Sequence, residues 1–147
     1  AYEMLRSLVG SEMCIRDSPY SDFGRLSMEL WRACRLVVDT GLHAKRWSRE
    51  KATAYLTMNT ASDESANLKA IERYMVMPGQ ATAYKIGMLK LLELRENART
   101  TLGDQFDIRD FHEVVLSNGA VPLNVLEDLV NQWVADTRSK PASLGAG

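Results

Sequence analysis

A proline–glycine pair interrupts the most apolar part of this chain. The stretch from Ile71 to Gly87 would otherwise form one long helix, and Pro78 and Gly79 stand in its middle. Proline lacks a backbone N–H donor, and it disfavours the α conformation for the residue before it, here Met77. The helix must therefore end or kink at this point and leave backbone groups unpaired. This helix break predicts either a connection between two helices or a functional site.

Side chains that can donate hydrogen bonds flank the helix break. Arg73 and Tyr74 precede it, whereas Gln80 and Tyr84 follow it one turn apart on the same helix face. A phenol or a guanidinium held there can stabilise the oxyanion that develops when water attacks a carbonyl group. The same side chains can instead satisfy the backbone groups that the break leaves free, and Arg73 can pair with Glu72. The residues alone leave both alternatives open.

Helical apolar spacing extends over the whole chain from Pro19 onward, and no segment shows the period-two alternation of a strand. The pattern predicts an all-α fold, an irregular bundle of about six helices with short connections. The expected helices run from Ser21 to a stop at Gly41, from the N-cap Ser48 to Met58, from Asp63 (with Ser62 as N-cap) to Val76, from Gln80 to Thr101 before a stop at Gly103, from the N-cap Asp107 to Asn118, and from Pro122 onward. The helix that starts at Gln80 is apolar nearly all round, which predicts a central helix surrounded by others.

Composition narrows the function classes. The chain has 147 residues, of which 46% are hydrophobic and 25% charged, with a net charge of -1, as in one ordinary globular domain. Without an excess of basic residues, we expect no nucleic-acid partner. No apolar run approaches the roughly 18 residues of a transmembrane segment. The two cysteines, Cys14 and Cys34, can form at most one disulfide, and no cysteine–histidine cluster has the spacing of a structural zinc site.

The first 18 residues do not match the rest of the chain. Residues 7–18 resemble a translated sequencing-adapter peptide that recurs at the ends of unrelated metagenomic gene products. A signal peptide is not expected, because Glu12 and Arg16 break an apolar run that is already too short. We therefore expect residues 1–18 to be non-native, residues 19–138 to form the helical part, and residues 139–147 to be a disordered tail. The natural chain is then expected to extend further upstream.

Two histidines invite a chemical interpretation. His112-Glu113 begins like the His-Glu-x-x-His helix of zinc peptidases, but Leu116 stands where the second histidine is required, which excludes that motif. His43 follows the predicted end of the first helix, where the negative end of the dipole favours an imidazolium and Asp39 can orient the ring. A catalytic or substrate-binding role and a structural cap both remain open for His43.

A set of short motifs occurs in order between Pro19 and Trp133. They are Phe23-Gly24-Arg25-Leu26, the segment from Trp31 to His43, Arg73-Tyr74, Pro78-Gly79-Gln80-Ala81, Tyr84-Lys85-Ile86-Gly87, Phe111-His112 and Gly119-Ala120-Val121-Pro122-Leu123. Together they resemble the C-terminal part of one bacterial family, the domain of unknown function 885.

Members of that family resemble zinc metallopeptidases of the gluzincin type. They carry a His-Glu-x-x-Pro-Gly-His element upstream of this region and, further on, a Glu-Gly-Trp-Ala element, and this sequence contains neither. The resemblance therefore implies the C-terminal fragment of a zinc-dependent peptidase-like hydrolase, which forms one wall of the substrate cleft and is inactive as given. Zinc is expected in the full-length parent, with no metal ligand here. The alternative is a non-catalytic helical binding or structural module.

The same resemblance implies partners and residue roles. A peptide-like substrate and the missing N-terminal part of the chain are the expected partners, and export as a periplasmic protein or lipoprotein is expected if that part carries a signal. Arg73-Tyr74 resembles the arginine–tyrosine pair of related helical zinc peptidases, whose tyrosine assists the scissile carbonyl. The implied catalytic residues are Tyr74 as first choice for the oxyanion donor, Tyr84 as its competitor and His43 as a second donor, and the implied substrate-binding residues are Arg73, Gln80 and Asp39.

Overall fold

The computed structural model describes residues 19–139. Helices dominate this part of the chain, and no strand occurs within it. The helices are α1 (Pro19–Lys45), α2 (Arg49–Asn59), α3 (Glu64–Val76), α4 (Gln80–Leu102), a 3-10 turn (Gly103–Gln105), α5 (Ile108–Ser117) and α6 (Leu123–Ser139). The predicted all-α fold is confirmed.

The chain divides into two compact units, 1–85 and 86–147. Helix α4 begins in the first unit and continues into the second. The segment 1–18, predicted to be non-native, lies outside the described residues. So does the predicted disordered tail, except that Ser139 is the last residue of α6.

Helices α1, α2 and α3 build the core of the first unit. Its buried residues come from α1, α2, α3 and the start of α4: Cys34, Val38, Ala52, Leu56, Ile71, Tyr74 and Ala81. Each fully buried valine, leucine or isoleucine side chain stabilises the folded state by about 1.5–3 kcal/mol. Tyr74, a predicted site residue, is therefore a member of this core and held by it.

Gly41 does not end the first helix, as the sequence had predicted. Helix α1 continues to Lys45, and a positive φ of 52° at Arg46 follows it. A Cβ atom at Gly41 would lie 2.6 Å from two ring carbons of Trp47, and the Trp47 amide donates to the Gly41 carbonyl at 3.0 Å. The missing side chain thus admits the indole ring against α1, so that Gly41 serves close packing instead of helix termination.

The N-caps of the first unit match the sequence with one exception. Ser48 accepts a hydrogen bond from the Lys51 amide at 3.2 Å and caps α2, as predicted. Helix α3 is capped by Asp63, which accepts from the Ala66 amide at 2.8 Å, and not by Ser62. Asp63 has the extended backbone of an N-cap, with φ -68° and ψ 157°.

The second unit forms a smaller core from the end of α4, α5 and α6. Its buried residues are Leu94, Ala98, Phe111, Leu126 and Val130. Gly103, with a positive φ of 54°, follows the end of α4, and Asp107 caps α5 by accepting from the Arg109 amide at 2.8 Å. Both boundaries were predicted.

The expectation that α4 is enclosed on all sides is wrong for the part of the chain that the structure describes. Three large apolar residues of its middle turns, Ile86, Leu89 and Leu92, are 43%, 48% and 38% exposed. Within residues 19–139 no element covers these side chains fully. Apolar character around a helix therefore did not translate into burial on every side.

Candidate functional site

The predicted helix break is present between α3 and α4. Met77 leaves the α conformation with φ -131° and ψ 68°, and α4 starts three residues later at Gln80. Gly79 takes a positive φ of 81°, which glycine adopts without the steric cost of a side chain. The connection between the two helices is thus only three residues long, from Met77 to Gly79.

Asp39 of α1 caps the start of α4 across the fold. Its Oδ1 accepts from the Gly79 amide at 3.2 Å, and its Oδ2 accepts from the amide and the hydroxyl of Thr82 at 3.0 and 2.9 Å. Gly79 and Thr82 occupy the N-cap and N3 positions of α4. In a capping box, two local side chains satisfy the amides at these two positions. Here a single carboxylate, only 2% exposed, satisfies both.

His43 joins the end of α1 to the end of α3. Its Nε2 lies 2.9 Å from the carbonyl oxygen of Tyr74 and 3.5 Å from Oδ1 of Asp39. Because both neighbours are acceptors, Nε2 must carry the hydrogen and donate it. His43 was predicted just beyond the helix, but it lies within the last turn of α1, since that helix continues past Gly41.

Arg35 organises the other side of the break. Its Nη2 donates to Oε1 of Gln80 at 3.1 Å, and Nε2 of Gln80 donates to the Tyr84 hydroxyl at 3.1 Å. The guanidinium carbon lies 4.8 Å from the ring centroid of Tyr84 and 5.4 Å from that of Tyr74. We call these four residues, Arg35, Tyr74, Gln80 and Tyr84, the Arg35 cluster.

Their i,i+4 spacing would allow Arg35 and Asp39 to form an ion pair, but no such pair occurs among the described residues. The two residues are one turn apart on α1, but the Asp39 carboxylate is directed to the start of α4. The two backbone amides at the start of α4 bind the Asp39 carboxylate in preference to the flexible side chain of Arg35.

Tyr74 combines burial with an uncommitted hydroxyl. The residue is 3% exposed, and its hydroxyl makes no hydrogen bond with any of residues 19–139. Burial raises the pKa of this phenol above its usual value, and the positive charges of Arg35 and Arg73 oppose that shift. The hydroxyl therefore keeps its proton at neutral pH and can donate it.

Arg73 stands apart from the other predicted site residues. It is exposed on the last turn of α3 and makes neither an ion pair nor a hydrogen bond within the described part of the chain. The partner considered for it, Glu72, pairs instead with Arg49. The structure thus brings together five predicted residues, Asp39, His43, Tyr74, Gln80 and Tyr84, and places Arg73 at their edge.

Two contributors were missed from the sequence. Neither Arg35 nor Thr82 was among the residues predicted for the site. A usable signal existed for the first: Arg35, Asp39 and His43 follow one another at four-residue intervals, which places three polar side chains in one row along the helix. Thr82 could have been found as the N3 residue of a helix that lacks a capping side chain of its own.

The described residues do not fit a zinc site. Within residues 19–139 no group of three or more histidine, cysteine, aspartate or glutamate side chains could hold a metal ion. A zinc site needs at least three such ligands, and the Nε2 atom of His43 already donates to a backbone carbonyl. In the same part of the chain no helix has both the length and the apolar character needed to cross a bilayer.

Comparison with protein families gives a match over residues 8–130, to a family described as "Bacterial protein of unknown function (DUF885)". The chain belongs to this family. The match begins inside the segment 1–18, whose non-native origin stays a prediction. No curated protein matches the chain.

A solved structure is similar to this chain. The crystal structure of a protein from Colwellia psychrerythraea, described as a "putative lipoprotein", is 56% identical, has a TM-score of 0.81, and matches over 83% of this chain. The match covers 21% of the Colwellia chain, so that the present chain spans about one fifth of its relative.

Proposed function

We propose that this DUF885 chain forms one wall of the substrate cleft of a larger zinc-dependent, peptidase-like hydrolase. The observation that carries the proposal is the Tyr74 hydroxyl, a protonated donor without an acceptor in residues 19–139, on a ring fixed by the core. Such a donor costs little reorganisation when it meets a developing oxyanion. The metal ligands would have to lie outside the described residues.

The other residues of the site would position Tyr74. His43 holds the carbonyl of Tyr74 itself, and Asp39 fixes the start of α4 beside it. Arg35 and Tyr84 confine the ring from the side of α1 and α4. Gln80 and Tyr84 remain candidates for substrate contacts, because Tyr84 is 48% exposed. Arg73, exposed and unpaired within residues 19–139, is available for substrate binding.

The test is the exchange of Tyr74 for phenylalanine in an intact family member that has a tyrosine at this position. If the hydroxyl stabilises an oxyanion, peptide turnover should fall by about 10²-fold or more. Tyr55→Phe is the matched control, since that ring also packs against the first core and its hydroxyl has no hydrogen bond within residues 19–139. Equal turnover of the Tyr74→Phe and Tyr55→Phe variants would remove Tyr74 from the catalytic role.

A second function is favoured by a separate observation. The polar groups of His43, Asp39 and Gln80 all bind other parts of the first unit, as expected for braces of a non-catalytic helical module. In that case His43→Gln would lower the melting temperature of the intact protein. The folded fraction would keep any activity that the intact protein has. The upstream sequence separates the two further, because a peptidase requires a His-Glu-x-x-His element and a later glutamate there.

Export is proposed on the basis of the relative alone. The Colwellia protein is described as a "putative lipoprotein", and the intact form of this chain would then act outside the cytoplasm on peptide-like substrates.

A further inference from the structure

Arg35 carries a positive charge without an acidic partner in the part of the chain that the structure describes. The ion pairs within residues 19–139 include none with this guanidinium, and only its Nη2 atom has a hydrogen bond, to the neutral amide of Gln80. Its Nε atom is buried and has no acceptor among the described residues. A guanidinium offers five N–H donors, and partly buried charges are normally paired. Most of the hydrogen-bonding capacity of Arg35 is therefore unused.

Two tyrosine side chains beside Arg35, Tyr74 and Tyr84, also have hydroxyl protons that they can donate. Gln80 donates to the Tyr84 hydroxyl, which leaves that hydroxyl its own proton to donate. The Tyr74 hydroxyl has no acceptor within residues 19–139, and Tyr84 is 48% exposed, which gives a ligand access to this side of the cluster. The nearest acid on α1, Asp39, accepts three hydrogen bonds from the start of α4 and is not available.

We infer that the Arg35 cluster binds a carboxylate of a peptide ligand, with the guanidinium of Arg35 as its main partner. A planar guanidinium that is stacked on two aromatic rings keeps its edge free for a carboxylate, and charge-assisted hydrogen bonds are the strongest available in such a site. The hydroxyl of Tyr84 supplies a neutral donor beside it, and the hydroxyl of Tyr74 stays available for the oxyanion. This inference rests on the proposed function for its choice of a peptide, and adds that the peptide must be anionic.

The carboxylate can belong to the C-terminus of the peptide or to an acidic side chain. Three probes separate these sources: acetyl-Ala-Ala-Ala with a free carboxylate, its C-terminal amide, and acetyl-Ala-Glu-Ala-amide. Binding to the 147-residue chain is followed by NMR, through the Nε–Hε signal of Arg35 and the ring signals of Tyr74 and Tyr84. At least one of the two acidic probes should bind about tenfold more tightly than the neutral amide and shift these signals. Whichever acidic probe binds better identifies the source.

Variants at Arg35 test the assigned partner. Arg35→Gln should reduce the preference for the acidic probe to within about twofold, and Arg35→Lys should leave an intermediate preference because it keeps the charge without the planar fork. Arg25→Gln is the control, since Arg25 is an exposed arginine of the same helix and pairs with Asp22. Circular dichroism confirms that each variant is folded, and Arg35→Lys decides the question if Arg35→Gln does not fold.

The inference is overturned if both acidic probes bind no better than the amide, or if the preference survives in the Arg35 variants. Its failure is distinct from that of the proposed function. An intact family member that hydrolyses all three kinds of peptide equally would keep the peptidase proposal and remove the carboxylate site. If the intact protein binds acidic peptides selectively but hydrolyses no peptide, the carboxylate site stands and the peptidase proposal fails.

Discussion

Removing the Asp39 carboxylate should destabilise the first unit more than removing an ordinary helix cap. Asp39→Ala leaves three donors without their acceptor: the amide of Gly79, the amide of Thr82 and the hydroxyl of Thr82. A buried donor left unsatisfied costs about 1–3 kcal/mol, and water can reach the exposed Gly79, so we expect a total loss of about 3 kcal/mol. A typical domain has a free energy of unfolding of about 5–15 kcal/mol, which makes this a large fraction.

Asp39→Asn should give an intermediate loss. Its oxygen can replace Oδ2 and keep both contacts to Thr82, but its amide nitrogen then faces the Gly79 amide and Nε2 of His43, which are themselves donors. The lost contact and the lost charge at the helix N-terminus together cost about 1–2 kcal/mol. The ordering of the two variants thus follows from which acceptor atoms remain.

Urea unfolding measures both losses. A Trp133→Phe background confines tryptophan fluorescence to Trp31 and Trp47, which both lie in the first unit. Asp63→Ala is the matched control, because Asp63 caps α3 from an exposed position with one local hydrogen bond and its loss should be smaller. The reasoning is refuted if Asp39→Ala unfolds at the same urea concentration as Asp63→Ala, or if Asp39→Asn is the less stable of the two Asp39 variants.

Two further predictions concern other positions. Gly41→Ala should destabilise the first unit by about 1–3 kcal/mol, because the new methyl group meets the Trp47 ring at 2.6 Å. Gly24→Ala on the same helix should stabilise the first unit by about 0.5–1 kcal/mol, because no atom of the described residues lies within 4 Å of the added Cβ. Equal effects of the two substitutions in thermal melts would contradict the packing role of Gly41. In the second unit, hydrogen bonds from Arg109 lower the pKa of Asp107 to about 2. Since this pKa lies below its ordinary value of 3.8, the stabilisation is complete above about pH 4 and is lost as the pH falls through 2. An NMR titration of the Asp107 carboxyl carbon should show this midpoint, and Arg109→Gln should raise it; a midpoint near 4 in the unaltered chain would disprove the assignment.

Local signals in the sequence predicted much of the fold. Apolar spacing gave the helices, and Ser48, Gly103 and Asp107 gave three of their boundaries, because caps and stops act on neighbouring residues. Gly41 was misassigned since its role depends on Trp47, which packs on it from beyond the end of α1.

The candidate site was harder to predict than the fold. The helix break identified its location, and the spacing of polar residues on α1 contained part of the answer. The partners of Asp39 and Arg35 lie 40 to 45 positions away, at the start of another helix. Whether a carboxylate pairs with a neighbouring arginine or with a distant backbone depends on how the helices pack, and no local pattern records that.

The capping of α4 by Asp39 also affects how the chain can fold. The residues at the start of α4, from Gly79 to Thr82, provide no local carboxylate for their own amides, and the one they use is 40 to 43 positions earlier in the chain. An isolated peptide of α4 should therefore fray at its first turn, because a helix with unsatisfied N-terminal amides nucleates poorly. In the complete chain, that turn would become ordered only when α1 docks. Protection of the Thr82 amide against hydrogen exchange would then report assembly of the first unit as a whole instead of the local stability of α4.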